Sequence, residues 1–387
     1  MSLVRMPEVR SYWSQNLEFA QMKNVISVNT FETIRRYIHF NDNTNLIPRN
    51  QPEHDKLYKL RPLIHFLNKQ YFTVPMEQYL SLDEQMCATK VKHYIKQYMP
   101  MKPHKWGFKL FVLSGESGFA YKFEIYAGHE ESQVSSDQPD FGITVNTVLR
   151  FCKEIPHKQN YRLYHDCYYT SLPLMVYLAK EKIHSVGTVR RSRVPNCKLP
   201  TDSTLKSQPR GTSYEYVASV EGVDISSIIW KDNNCVTLLS SFVGRQPLCK
   251  VTRYNRKEKK TEYVDCPNII REYNKHMGRV DLLDSNMGRY EILLKSLAWL
   301  LERRVLQNKA KTESSMEQAE FRVALAETLC NIGRERSTQH VPSREVRMDQ
   351  LGHWPILEAR KNEMQVSHMQ RLHAHKMRKV WYSIMFE

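Results

Sequence analysis

Four aspartates stand where a carboxylate could do more than meet solvent. Asp83 interrupts an otherwise apolar stretch, YLSLDEQM, whose alternation predicts a strand. Asp166 closes a second strand-like run, YRLYHD, immediately before a helical pattern. Asp281 and Asp284 lie three apart in GRVDLLDSNMG, so a helix there would turn both to one side. Carboxylates brought together from distant segments repel one another, and a hard divalent cation relieves that repulsion. A pair of Mg²⁺ or Mn²⁺ ions held this way would activate an attacking oxygen and stabilise a leaving one in phosphoryl transfer. Each position also has an ordinary structural use. An aspartate at a strand end often caps the following helix, and Asp284 could be a solvated helix residue. Spacing alone leaves both uses open.

The cationic residues are clustered. Lys90, Lys92 and Lys96 are followed by Lys102 and Lys105, with Tyr94, Tyr98 and Trp106 interleaved. Arg190, Arg191 and Arg193 form a second group; Arg253, Arg256, Lys257, Lys259 and Lys260 form a third. A basic tail carries Arg360, Lys361, Arg371, Lys376, Arg378 and Lys379. Such groups would hold phosphates without specifying a base sequence, or would simply be a solvated rim. The whole chain has 57 Lys and Arg against 41 Asp and Glu, a net charge of +16, which favours a polyanionic partner. His104, His165 and the group His368, His373 and His375 are weaker metal candidates. No P-loop, dinucleotide fingerprint or HExxH is present. Eight scattered cysteines without a CxxC pair argue against a disulfide scaffold or a zinc module, and predict a reducing compartment. No apolar run is long enough to span a bilayer, and the amino-terminal residues lack an apolar signal core.

The elements that must position these residues follow from periodicity. Helices are predicted over 28–40, with Asn29 or Thr30 as cap, and over 55–71, where Pro62 would kink or start the main segment. Strands are predicted at Tyr79–Met86, Trp106–Leu113, Phe119–Tyr126, Arg162–Cys167 and His184–Val189, with helices at 143–155 and Leu172–Lys182. Early strands followed by strand–helix alternation describe a mixed sheet with helices packed against it. From about 190 to 264 the chain turns basic and turn-rich, with short strand candidates EYVASV, CVTLLSS and CKVTRY. Helical pattern resumes near Pro267, runs through 269–310 and returns at 316–333.

Several of these blocks together resemble the piggyBac-derived transposases over nearly the whole chain. The lead-in NVISVNTFETIRRYIHFND and DKLYKLRPLIHFLN is similar to the family's helical entry. YLSLDEQM with KQYMPMKPHKWGFKLFVL resembles its first acidic block, LYHDCYYTSLPLMVYL its second and YNKHMGRVDLLDSNMGRY its third. The resemblance implies an α/β, RNase H-like mixed sheet with flanking helices, interrupted by a β-rich insertion domain. It divides the chain into a helical lead-in (1–75), a first core segment (76–190), the insertion (191–264), a helical completion (265–335) and a basic tail (336–387).

The same resemblance implies that Asp83, Asp166 and Asp281 bind Mg²⁺ or Mn²⁺, with Asp284 a fourth functional carboxylate. It implies DNA as partner, and the clustered cations expected to contact it are Lys90, Lys92, Lys102, Lys105, Arg190, Arg191, Arg193, Arg253 and Arg256. A homodimer and a nuclear location would go with that partner. The expected function is that of a DNA-associated protein of transposase descent; the alternatives are an active metal-dependent transposase or nuclease cutting at TTAA-flanked ends, and a non-catalytic scaffold. The chain departs from the family pattern in specific places. CATKVKHY stands where a basic-glycine segment is usual. Cys167 replaces an asparagine, Arg279 replaces a glycine, and the segment after Tyr290 is shortened. With the last cysteine at 330, a terminal cysteine-rich zinc module is not expected.

Overall fold

The computed structural model describes residues 9–14, 24–128, 139–255 and 258–288. Arg256, Lys257, the helical pattern beyond Gly288 including 316–333, and the basic tail lie outside the described residues. The chain divides into two compact units, one running through residues 39–291 and the other holding residues 1–38. Within the latter, helix α1 (Val28–Tyr37) starts at Ser27, whose hydroxyl accepts from Thr30 N at 3.1 Å. The cap therefore lies two and three residues before Asn29 and Thr30, which are inside the first turn of the helix. Trp13 joins it to the preceding single turn, donating to Ile26 O at 2.7 Å and packing its ring on Phe31.

The larger unit is built on one mixed sheet. Its first strands are β1 (Tyr79–Ala88), the short β2 (Gln97–Tyr98), β3 (Trp106–Gly115) and β4 (Ala120–Ile125). After α3 (Ile143–Cys152) come β5 (Tyr161–His165), α4 (Leu172–Lys180) and β6 (Ile183–Thr188). β1 pairs antiparallel with β3 and parallel with β5, and β5 pairs parallel with β6; β4 and β2 lie on the far side of β3. This is the mixed sheet that the strand–helix alternation predicted, in the RNase H-like arrangement that the resemblance implied. Helix α2 (Arg61–Tyr71) begins with Pro62 in its first turn, where a missing N–H is harmless. Its Asn68 side chain both donates to and accepts from the Phe123 backbone, at 3.0 and 2.9 Å, and so satisfies part of the open edge of β4.

The residues after β6 extend the same sheet. A short helix α5 (Asp202–Lys206) precedes β7 (Ser213–Val220), β8 (Val223–Lys231) and β9 (Cys235–Ser240). β9 pairs antiparallel with β6 through Val186↔Ser240, and β8 and β7 follow outward. The hairpin β10 (Cys249–Asn255) and β11 (Lys260–Cys266) forms a separate two-stranded ribbon. β2, β8 and β11 are absent from the expected strands. The turn before β8 is Glu221–Gly222, both at positive φ, a primed hairpin turn in which Glu takes the place that Asn or Asp usually marks.

Helices α6 (Asn268–His276) and α7 (Arg279–Gly288) complete the unit. The expected continuous helix is broken at Met277–Gly278, and a new ladder starts with Leu282 N on Gly278 O. α4 covers one side of the sheet through Met175, Val176, Ile225 and Leu239. α6 joins Tyr164, Val186, Ile228, Trp230, Leu238 and the hairpin residues Val264 and Cys266 in a single buried cluster. That cluster ties the residues on either side of the 191–264 segment to the segment itself.

Candidate functional site

Asp83 and Asp166 are brought together by strand register. The last parallel pair between β1 and β5 is Leu82↔His165, so each aspartate lies one residue beyond it. Asp166 follows the carboxyl end of β5, where open α/β sheets place their ligands, and Asp83 lies beside it in the middle of β1, where the parallel pairing stops. β5 ends at His165, so Asp166 belongs to the turn rather than to the predicted strand.

The turn carrying Asp166 is heavily fixed. The Asp166 carboxylate accepts from Tyr168 N at 2.8 Å, and its carbonyl accepts from the Thr170 hydroxyl at 2.8 Å. With its proton given to Asp166, Thr170 Oγ1 must accept from His165 Nδ1–H, also at 2.8 Å. His165 is fully buried, and burial pushes its pKa down to about 4, which keeps the ring neutral. Gly187 on β6 makes the room: a Cβ there would lie 2.2 Å from Thr170 Oγ1 and 2.5 Å from His165 Nδ1. Arg193 closes the turn from outside, donating to the carbonyls of Cys167 at 2.6 Å and Tyr168 at 3.1 Å.

Both carboxyl groups sit in an environment that resists ionisation. Burial pushes Asp83 up to about 7; the Glu84 amide, bonded to its Oδ1 at 2.8 Å, and the Lys102 charge oppose the shift, while the Glu84 charge adds to it. Asp166 is raised by burial and then by the Glu84 charge, with the Tyr168 amide and Lys109 opposing. Glu84 was not singled out in the sequence. It is 6% exposed, bonded to Tyr169 Oη at 2.9 Å and paired with Lys109 Nζ at 3.2 Å. Lys102 Nζ donates to the Glu84 carbonyl at 3.0 Å. The DE dipeptide at 83–84 was visible; its cation, twenty-five residues away, had no signal in spacing.

α7 reaches this region through Asp284, which accepts from Gln85 Nε2 at 2.6 Å. Gln85 lies two residues after Asp83 on β1, on the same side of the strand. Asp281, one turn earlier, is exposed in the first turn of α7. Arg279 turns to Lys275 O at 2.6 Å and to Glu116 at 3.6 Å. Among the described residues, no group of three or more His, Cys, Asp or Glu stands close enough to hold a metal ion. The arrangement therefore offers Asp83 and Asp166 as neighbouring donors, without a third carboxylate gathered to them. A groove of about 680 Å³, lined by Arg61, His65, Lys69, Lys122 and Arg150 among others, includes none of the four aspartates.

The expected cationic contacts divide by geometry. Lys90, Lys92, Lys105 and Arg190 are exposed, and Lys102 is partly buried against β1. Arg191 is committed to the carbonyls of Leu199, Pro200 and Cys197. Arg253 donates to Asp232 Oδ2 at 2.9 Å and lies over the Trp230 ring. Arg191, Arg193 and Arg253 thus hold the protein's own loops.

A family profile described as Transposase IS4 matches residues 1–304. PiggyBac transposable element-derived protein 3 from Homo sapiens is 33% identical over 301 residues, covering 76% of this chain and 49% of the relative. PiggyBac transposable element-derived protein 2 from Homo sapiens is 26% identical over 387 residues, covering 94% of this chain and 63% of the relative. The chain thus spans about half to two thirds of the length of these relatives. A cryo-EM structure of the piggyBac transposase synaptic complex with hairpin DNA matches the fold with a TM-score of 0.63 at 20% identity, covering 90% of this chain and 73% of the other. The sheet order, the relative at 33% identity and a profile running through all three acidic blocks converge, and the chain belongs to the piggyBac-type transposase family.

Proposed function

We propose that this protein binds DNA through the connection between β1 and β3, as a transposase-derived protein whose fold presents that connection beside Asp83. The observation that carries the reading is the composition and placement of residues 88–106. They contain Lys90, Lys92, Lys96, Lys102 and Lys105 and no Asp or Glu, and Lys102 ties them to β1 next to Asp83. The solved relative bound to hairpin DNA supports the same partner. Nuclear residence and a homodimeric state belong to this proposal.

Fluorescence anisotropy with labelled duplex DNA tests it. Affinity is expected to fall steeply with salt, each phosphate contact contributing about 0.9 to the log–log slope. Changing Lys90, Lys92 and Lys105 together to Gln is expected to weaken binding and lower that slope by about 2 to 3. An unchanged slope in the triple variant would place the DNA elsewhere on the protein.

A second reading, metal-dependent strand cleavage, is favoured by the adjacency of Asp83 and Asp166. Those two side chains would contribute to holding Mg²⁺ or Mn²⁺, which supplies charge stabilisation at a phosphoryl centre. The residues gathered in the structure do not make up the three-carboxylate set, so binding is the primary function proposed. Mn²⁺-dependent nicking by the wild type that is lost in Asp83→Asn would establish cleavage as well. No nicking by folded protein would leave binding alone.

A further inference from the structure

The β2–β3 ribbon carries two large aromatic rings at the surface. Tyr98 and Trp106 are directly opposite in register, and their rings lie 4.8 Å apart at a tilt of 44°. They are 50% and 54% exposed, and Met101 in the intervening turn is 95% exposed. The turn is closed by Met99 N on Lys105 O at 2.8 Å and anchored by Lys102 on β1. Lys96 places its ammonium 5.5 Å from the Trp106 ring centre. Nearby Tyr94 differs, because its ring is occupied by Arg49 at 4.5 Å and by the stacked His93.

Resting on the DNA-binding reading above, we propose that Tyr98 and Trp106 form a stacking site for an unpaired base of a DNA strand, with Lys96 beside it for a flanking phosphate. A duplex hides the faces of its bases and offers phosphates, which the lysines alone would satisfy. An unpaired base exposes a π-face, and base–aromatic stacking tolerates any sequence. The ribbon joins both kinds of contact: half-exposed rings in a segment free of acidic residues. Its attachment to the Glu84 carbonyl sets this site next to the strand that bears Asp83. The site would therefore receive a strand opened or frayed close to the aspartates.

The full chain should be titrated with a labelled oligothymidylate and, separately, with a blunt duplex of equal length at one salt concentration. Trp106→Ala is expected to weaken single-strand binding by about 5- to 100-fold, the usual range for losing one stacked base. Duplex affinity should stay within about 2-fold, and the salt slope should not change, since no phosphate contact is lost. Trp106→Phe should keep most of the single-strand affinity. Oligothymidylate should also quench tryptophan emission in the wild type, and that quenching should be lost in Trp106→Phe even if Trp106→Ala folds poorly.

Equal weakening of both DNA forms by Trp106→Ala, or no effect on either, would overturn the stacking site and leave the pair as a brace of the ribbon. Quenching that persists in Trp106→Phe would overturn it equally. A wild type that binds duplex normally under those outcomes would leave the DNA-binding reading standing. A wild type that binds neither form would remove both.

Discussion

Gly187 shows how far from a charged group its placement can be decided. The missing side chain lets His165 and Thr170 meet, and Thr170 then holds the Asp166 carbonyl. Gly187→Ala should lower stability by about 1–3 kcal/mol, the usual penalty of overpacking, measured by denaturant unfolding. Glu84 and Lys109 form a buried ion pair with side chains 8% and 12% exposed. Lys109→Met should destabilise by about 3–5 kcal/mol because it strands a buried charge, and adding Glu84→Gln should restore much of the loss. Unfolding of the two variants side by side would show whether the partners are coupled. His276 is stacked on Tyr79 at 4.4 Å and on Tyr164 at 4.9 Å, facing Glu272, Glu116, Lys275 and Arg279. Burial holds its pKa below the ordinary value, so the unfolded chain takes up the proton first. That contribution to stability is complete above the unfolded value of about 6.5 and is lost as pH falls below it. His276→Phe should flatten the wild-type loss of melting temperature on acidification. At this scale Asp83 and Asp166 were legible, since a charge in an apolar strand and a charge before a helix are local signals. Gln85, Glu84 and Gly187 were not, because their partners come from other strands and helices.

Strands announced themselves where alternation and turn chemistry were both local. β1, β3, β4, β5 and β6 lie within a few residues of their expected limits. β8 escaped because VDISSIIWK mixes serines into an apolar run and follows a turn without the customary Asn or Asp. The break between α6 and α7 falls at Gly278, a residue whose weak helix propensity was outvoted by the pattern on both sides. At the sheet edge, Asn68 acts as a piece of strand supplied by a helix. Asn68→Ala should cost about 1–3 kcal/mol by leaving the Phe123 amide and carbonyl unpaired. Hydrogen exchange localised to β4 would distinguish that loss from general loosening.

For the molecule as a whole, the charge of +16 favours a polyanionic partner, while the topology decides which cations remain free for the proposed contact. Arg191, Arg193 and Arg253 are spent on the protein's own carbonyls and carboxylates, so the lysines of residues 88–106 dominate the proposed contact. The mixed sheet was legible because its strands alternate with helices. The route by which 191–264 rejoins it was not, because antiparallel pairing of β9 with β6 has no counterpart in local sequence.

That pairing bears on what kinds of length change the protein can survive. Excising the segment between β6 and α6 would strip β6 of a neighbour and remove Ile228, Trp230, Leu238 and Val264 from beneath α6. The Glu221–Gly222 turn is different: a Cβ added at Gly222 would meet nothing within 4 Å. New sequence spliced into that turn can grow outward without disturbing the sheet, whereas pruning the segment back to a short loop would pull out a keystone.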